Sequence, residues 1–300
     1  MLAASWNPAY AVQEMWSYPF MVNAFRAGTI TAVLAGAVGW FMVLRRQSFV
    51  GHTLATIAFP GGAGATLLGL SAPWGYYAFC LAGALLIALL PATGNPIGTS
   101  LTDESATIGT VLAFGLACGY LFVSLYHGLL GGMTGLLFGS ILGITTNQVW
   151  TLAGVAAALL LGLALTGRRL LFASIVPDVA ASRAVPTRGL SVLFVVLLGL
   201  AAAAASQITG TLLVFALLVM PAATAQTLSP QPRISLPLTV LLGTVETWLG
   251  LTLAFYTPYP LGFCVTTLAF AAYLAAHGLQ HWSRLRTRTR KPRARAKAPS

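Results

Sequence analysis

Acidic side chains are nearly missing from this chain: Glu14, Asp103, Glu104, Asp178 and Glu246 are the only five in 300 residues. Lysine is rarer still, with Lys291 and Lys297 both close to the C-terminus. Charged residues of all kinds make up 7% of the chain, against about a quarter in ordinary soluble domains. With 57% hydrophobic residues, a soluble domain of this size could not hide its apolar surface, so the bilayer must be its solvent. The three cysteines, Cys80, Cys118 and Cys264, are isolated within apolar runs, which excludes a disulfide framework and a CxxC metal knuckle. They read as small buried hydrophobes. No GxxxxGK[ST] loop is present, so this chain cannot cradle ATP phosphates, and any ATP-driven motor must be another polypeptide. GxSxG and HExxH are also missing, and Gly139-Ser140 with the distant His277 lacks the spacing of an intramembrane serine protease. The N-terminal stretch carries Glu14 and no basic residue before Arg26, so it has no signal-peptide n-region. Residues 1–19 read instead as an interfacial lead-in, with Trp6, Tyr10, Trp16 and Tyr18 at headgroup level.

What the chain does have is long apolar runs. Nine look long enough to span, at roughly 20–44, 53–71, 75–91, 106–127, 149–167, 189–206, 208–228, 235–256 and 259–278. A tenth, 129–144, is interrupted by Gly131, Gly132, Gly135, Gly139 and Gly143, and hydropathy does not say whether it crosses. Charge does. With nine crossings and the N-terminus outside, 45–52, 168–188, 229–234 and the tail face the cytoplasm and hold fifteen of the sixteen Lys and Arg. Only Arg26 is left outside, so the positive-inside rule favours a re-entrant element at 129–146. The expected fold is all-α: a membrane domain over 20–282 with about nine transmembrane helices, and a basic disordered tail over 283–300. That tail holds eight of the positive charges among Pro, Ser and Thr. It suits anionic membrane lipids better than nucleic acid, which is not expected as a partner.

Polar residues inside apolar runs single out candidate sites. His52 and Thr56 are one turn apart on one helical face, beside Pro60 and Gly61. Ala58/Gly62 and Gly61/Ala65 have the small-xxx-small spacing of a helix–helix seam, and packing alone would account for the glycines. Pro221 inside another run must free a backbone carbonyl and kink its helix. Glu246 lies mid-run, where an unpaired carboxylate costs about 2.5–3.5 kcal/mol on insertion scales. It is either hydrogen-bonded between helices or faces a watered path. His277 and His281, beside Trp282 and Arg284, read as an interfacial anchor. The 168–188 loop reads as a short amphipathic helix, with Leu170, Leu171, Ile175 and Val179 near helical spacing.

The stretch Leu44-Arg45-Arg46-Gln47-Ser48-Phe49-Val50-Gly51-His52-Thr53-Leu54-Ala55-Thr56-Ile57-Ala58-Phe59-Pro60-Gly61 resembles a signature of the bacterial ABC permeases that import zinc, manganese or iron. The family pattern there is roughly R-R-x-S-L-x-G-D-x-x-S-H-x-x-L-P-G. Four further blocks match in order. Glu104-Ser105-Ala106-Thr107-Ile108-Gly109 is similar to E-D-x-A-I-G, and Leu137-Phe138-Gly139-Ser140-Ile141-Leu142 to L-F-G-x-I-L. The run from Gly210 through Pro221-Ala222-Ala223-Thr224-Ala225 is similar to V-G-x-L-L-V-x-A-L-L-x-x-P-A-A-T-A, and Tyr256 with Pro260-Leu261-Gly262 to Y-x-x-x-P-x-G.

The resemblance implies an ABC importer subunit that forms the pathway for a divalent transition metal and catalyses no covalent chemistry. It implies an ATP-binding cassette subunit, an extracytoplasmic metal-binding lipoprotein, and a second permease copy or a paralogue; no cofactor is implied. In the family the two positions at His52 and Thr56 are Asp and His, thought to hold the metal, so His52 becomes the candidate metal ligand here. A threonine hydroxyl is a poor replacement for imidazole, and His52 as an interfacial packing residue stays open. Pro60, Gly61 and Pro221 become candidate helix-break or gating positions. The 168–188 loop is similar to an F-D-x-E-x-A-x-x-x-G segment that docks on the ATPase, placing Asp178, Ala180 and Ala184 at its acidic, Ala and Gly positions. The alternative is an ion-gradient-driven secondary transporter with Glu246 as its carrier.

Overall fold

The computed structural model describes residues 15–90, 101–126, 139, 143–176, 179, 182–183 and 186–289. Among them the chain forms long helices and no strand: α1 Pro19–Leu44, α2 Ser48–Leu67, α3 Ala72–Leu89, α4 Leu101–Leu125, α5 Thr146–Ile175, α6 Thr187–Thr209, α7 Thr211–Leu228, α8 Pro232–Tyr256 and α9 Leu261–Thr289. Seven of these are long and apolar enough to cross a membrane: α1, α3, α4, α5, α6, α8 and α9. The glycines, threonines and His52 of α2 dilute its hydropathy, and α7 is short. Large apolar side chains such as Trp74, Phe114, Tyr120 and Leu165 point outward, as hydrocarbon-facing side chains do in a bundle with lipid as solvent.

α1 is the central post. Beyond Asn23, Arg26 and Thr29 near its start it has no polar face, and most of it is buried against α8, α7, α5 and α6. Lipid offers no hydrophobic drive between helices, so close packing and internal hydrogen bonds must hold them together. Both are present. Trp40 of α1 is fully buried and its indole N–H donates to Ser235 Oγ of α8 at 2.9 Å. Gln226 of α7 donates to the Trp40 carbonyl at 2.9 Å, so three helices meet on satisfied polar groups. The α2–α3 seam uses small residues: a Cβ on Gly61 would collide with the Gly75 carbonyl, and one on Gly75 with the Gly61 carbonyl. Gly210 joins α6 to α7 at φ 75 and ψ 158, a conformation only glycine adopts without strain.

Helix directions follow from who touches whom. α8 runs antiparallel to α1, with Val240 against Gly36 and Thr247 with Leu251 against Gly28. α3 runs antiparallel to α2, whereas α4 runs parallel to it, meeting Ile57 at Gly115 and Pro60 at Gly119 and sending Phe122 to Gly64. Arg45 bonds Ser174 and Ser191, and Gln280 donates to the Thr227 carbonyl at 3.4 Å. So α1, α5, α7 and α9 finish, and α2, α4, α6 and α8 begin, at one end of the bundle. Arg45, Arg46, Arg168, Arg169, Arg188 and Arg233 belong to that basic end. At the opposite end Asn23 of α1 donates to the Ile144 carbonyl at 3.2 Å and to Thr146 Oγ1 at 3.3 Å. Thr145 opens α5 there with a reciprocal capping box to Gln148. α4 therefore finishes, and α5 begins, at the same end.

One expected element is corrected. Arg168 to Ile175 do not start a separate amphipathic helix; they prolong α5. Leu170 and Ala173 continue the buried stripe of Leu159 and Leu163, so the helix has reason to run on until it nears Pro177. Beyond it, Arg183 N–H and Ser182 Oγ reach the Val179 carbonyl, forming a single turn. The 1–14 part of the lead-in, most of 129–146 and the tail from 290 lie outside the described residues.

Candidate functional site

α2 presents the candidate pathway face. His52 and Thr56 are both half-buried, and Thr56 Oγ1 donates to the His52 carbonyl at 2.8 Å. That bond uses the hydroxyl proton and leaves its lone pairs free to accept. His52 Nδ1 is buried with no hydrogen-bond partner among the described residues. The imidazole meets Phe215 of α7 edge to face, ring centroids 4.7 Å apart. α2 stays helical through Pro60, which has no N–H to offer the Thr56 carbonyl four residues back. Successive turns of α2 therefore carry an imidazole, a hydroxyl and a carbonyl that Pro60 leaves without its ladder N–H. Next to it Gly61 lies at the tight α2–α3 crossing, where its job is close approach.

Neither α2 nor α7 contains a carboxylate, a lysine or an arginine. Among the described residues no three His, Cys, Asp or Glu side chains gather into a metal cluster. Among the described residues this face therefore offers one imidazole, with the Thr56 oxygens as its only other donors one turn away.

Glu246 lies elsewhere. It is 4% exposed on α8, and both carboxylate oxygens are without a partner among the described residues. The same helix meets α1 through Thr247 at Gly28, meets α7 where Gly243 lies against Pro221, and meets α9 where Gly250, one turn beyond Glu246, lies against Val265. Thr31 of α1 is likewise fully buried, with no partner for Oγ1 among the described residues. Pro221 of α7 lies against Gly243, one turn from Glu246. α7 therefore touches both candidate regions, but Phe215 faces His52 while Pro221 faces the glutamate's neighbourhood. No described contact joins Glu246 to His52.

His277 and His281 are exposed on late α9, where His277 rests on Tyr273 with centroids 4.3 Å apart. They are remote from the α2 face in sequence and share no described contact with it. Cys80 and Cys264 are fully buried, and Cys80 Sγ donates to the Leu54 carbonyl at 3.3 Å, as a packing cysteine would. Asp178, Ala180 and Ala184 lie outside the described residues. Sequence reasoning missed Phe215, which stands midway between Gly210 and Pro221 in an unbroken apolar run. Nothing in that run marks it; only the packing of α7 on α2 does.

A helical bundle around a central apolar post, with a polar face on one helix and a basic end, is the build of a membrane permease. The chain matches the ABC 3 transport family over residues 17–280 and belongs to it. It is 29% identical to the manganese import system permease protein ScaB of Streptococcus parasanguinis, over 88% of this chain and 91% of that protein. It is also 29% identical to the chelated iron transport system membrane protein YfeC of Yersinia pestis, over 93% and 94%. Among solved structures it is similar to PsaBC from Streptococcus pneumoniae in complex with Fab, with TM-score 0.78, 27% identity and coverage of 90% and 95%. The chain is a permease subunit of an ABC transporter, a multi-pass protein of the bacterial cytoplasmic membrane rather than an enzyme. This places it with ATP-driven importers, which work with ATPase and substrate-binding partners, and not with gradient-driven carriers.

Proposed function

We propose that this permease passes a divalent transition metal and that His52 is the side chain of each copy that meets it. The reading is supported by the manganese and iron permeases among its relatives and by the unpartnered Nδ1 on the α2 face. Two copies meeting at a two-fold axis would oppose two imidazoles; a paralogue in the second place would supply its own residue instead. A neutral nitrogen donor without a nearby carboxylate suits zinc or iron better than manganese, which prefers carboxylate oxygen. Thr56 adds oxygen donors of lower affinity, and the hinge-prone Pro60 and Pro221 are the positions at which α2 and α7 bend during alternating access. Glu246 serves this reading only as a polar group near the α7 bend.

The connection between α5 and α6, with Asp178, Ala180 and Ala184, docks on the ATPase subunit in this proposal, and a metal-binding lipoprotein delivers the ion at the other end. The basic end then faces the cytoplasm, and 129–146 is a re-entrant element that does not cross, a reading supported by α4 finishing at the end where α5 begins. Residues 1–19 rest at the interface and 283–300 lie on anionic lipid.

The test is uptake of radioactive zinc, iron and manganese by the reconstituted transporter. Zinc or iron should exceed manganese, His52→Ala should remove most of that uptake, and Thr56→His should shift the preference or trap the ion. If His52→Ala carries these ions as well as the parent does, the histidine is packing; if the parent carries none of the three, the substrate lies outside the transition metals.

A further inference from the structure

Arg45 is the strongest polar junction in the molecule that the pathway reading leaves unused. It follows directly on α1, in a three-residue turn locked by backbone bonds from Arg45 to Phe41, Arg46 to Val43 and Gln47 to Met42. Arg46 holds φ 59 in that turn, the left-handed region that a non-glycine residue enters only when its surroundings demand it. The half-buried guanidinium of Arg45 then reaches two other helices and the last residue of its own turn. Nη1 donates to Ser174 Oγ at 3.1 Å in the last turn of α5, and Nη2 to Ser191 Oγ at 2.7 Å near the start of α6. Nε donates to Gln47 Oε1 at 3.3 Å, beside the start of α2. The plane rests over the ring of buried Phe194, 5.4 Å from its centroid, and Phe194 packs on Phe41. The rigid fork of a guanidinium can hold these acceptors and stack at once; a flexible ammonium cannot.

Ser174 and Ser191 stand on either side of the α5–α6 connection. We propose that Arg45 is the positioning residue through which a displacement of that connection reaches α2, and so reaches His52, the fifth residue of α2. Because the α1–α2 turn has no slack, a shift of either serine moves the first turn of α2 instead of being absorbed in a loop. The inference rests on the proposal that the connection docks on the ATPase.

The test uses the whole reconstituted complex of permease, ATPase and binding partner, measuring ATPase co-purification, ATP hydrolysis and metal carried per ATP. Arg45→Gln should keep the complex together and hydrolysing, while transport per ATP falls by about tenfold, within the range of coupling free energies between sites. Arg45→Lys should restore only part of it, since charge alone does not supply the fork. The double variant Ser174→Ala with Ser191→Ala keeps the arginine and should lower the same ratio, which decides the matter if Arg45→Gln fails to accumulate. An unchanged ratio in both, or hydrolysis and uptake falling together, overturns the tie. Asp178→Arg separates the two readings: if it uncouples while the Arg45 and serine variants do not, the tie alone fails. If Asp178→Arg leaves coupling intact, the docking reading beneath it fails.

Discussion

Trp40 illustrates what a single residue contributes when lipid surrounds the bundle. Its ring fills the core against Phe41 and its N–H depends on Ser235 Oγ, which itself donates to the Gln231 carbonyl. Ser235→Ala would strand a buried donor, an outcome that costs about 1–3 kcal/mol, more than the net value of the bond. Thermal unfolding in detergent should show that loss, and Ser235→Thr should recover much of it by restoring the oxygen. Equal stability of parent and Ser235→Ala would mean that another acceptor takes over. At the same scale, the polar face of His52 and Thr56 was legible from i, i+4 spacing, because a helix needs no tertiary information to place them together. Phe215 and the Arg45 fork were not, because both are contacts between residues more than a hundred positions apart.

Some elements meet here backbone to backbone. At the α2–α3 crossing Gly61 and Gly75 face each other's carbonyls, so even a methyl group forces the helices apart. Gly61→Ala should therefore destabilise the permease by about 1–3 kcal/mol, the usual cost of overpacking. Gly109 of α4 is the control, having nothing within 4 Å of an added Cβ. There alanine should be neutral or stabilising by about 0.5–1 kcal/mol, since glycine weakens a helix interior. Differential scanning of both purified variants checks the pair; a harmless Gly61→Ala would mean the seam has room to spread. The small-residue spacing around Gly61 made a seam legible, but not its partner, because many helices offer small residues.

For the whole molecule the decisive quantity is the direction of each helix. The alternation traced through the helix contacts puts every described cytoplasm-assigned arginine at one end, and the positive-inside rule then orients the bundle. Reporter fusions after Arg183 and after Trp282 should both report cytoplasm, and fusions after Tyr126 and at Thr145 should both report the outside. A split result in the second pair would make 127–142 a crossing and overturn the parity on which the topology rests. Membrane class and the family's motif order were legible because composition and spacing survive without coordinates. The extent of α5 was not, since whether Leu170 is buried depends on its neighbours.

By itself the sequence determined that this chain lives in a bilayer, which end of it is basic, where its apolar runs lie and which helical face carries His52 and Thr56. Those follow from hydropathy, charge and the 3.6-residue period, all local properties of a chain in lipid. Only the tertiary structure decided that Phe215 closes on His52, that Glu246 is buried on α8 with no described contact to His52, and that Arg45 ties α5 and α6 to the turn that opens α2. In lipid, apolar attraction does not choose partners; backbone fit and a few hydrogen bonds do, and those arise only when distant helices are brought side by side.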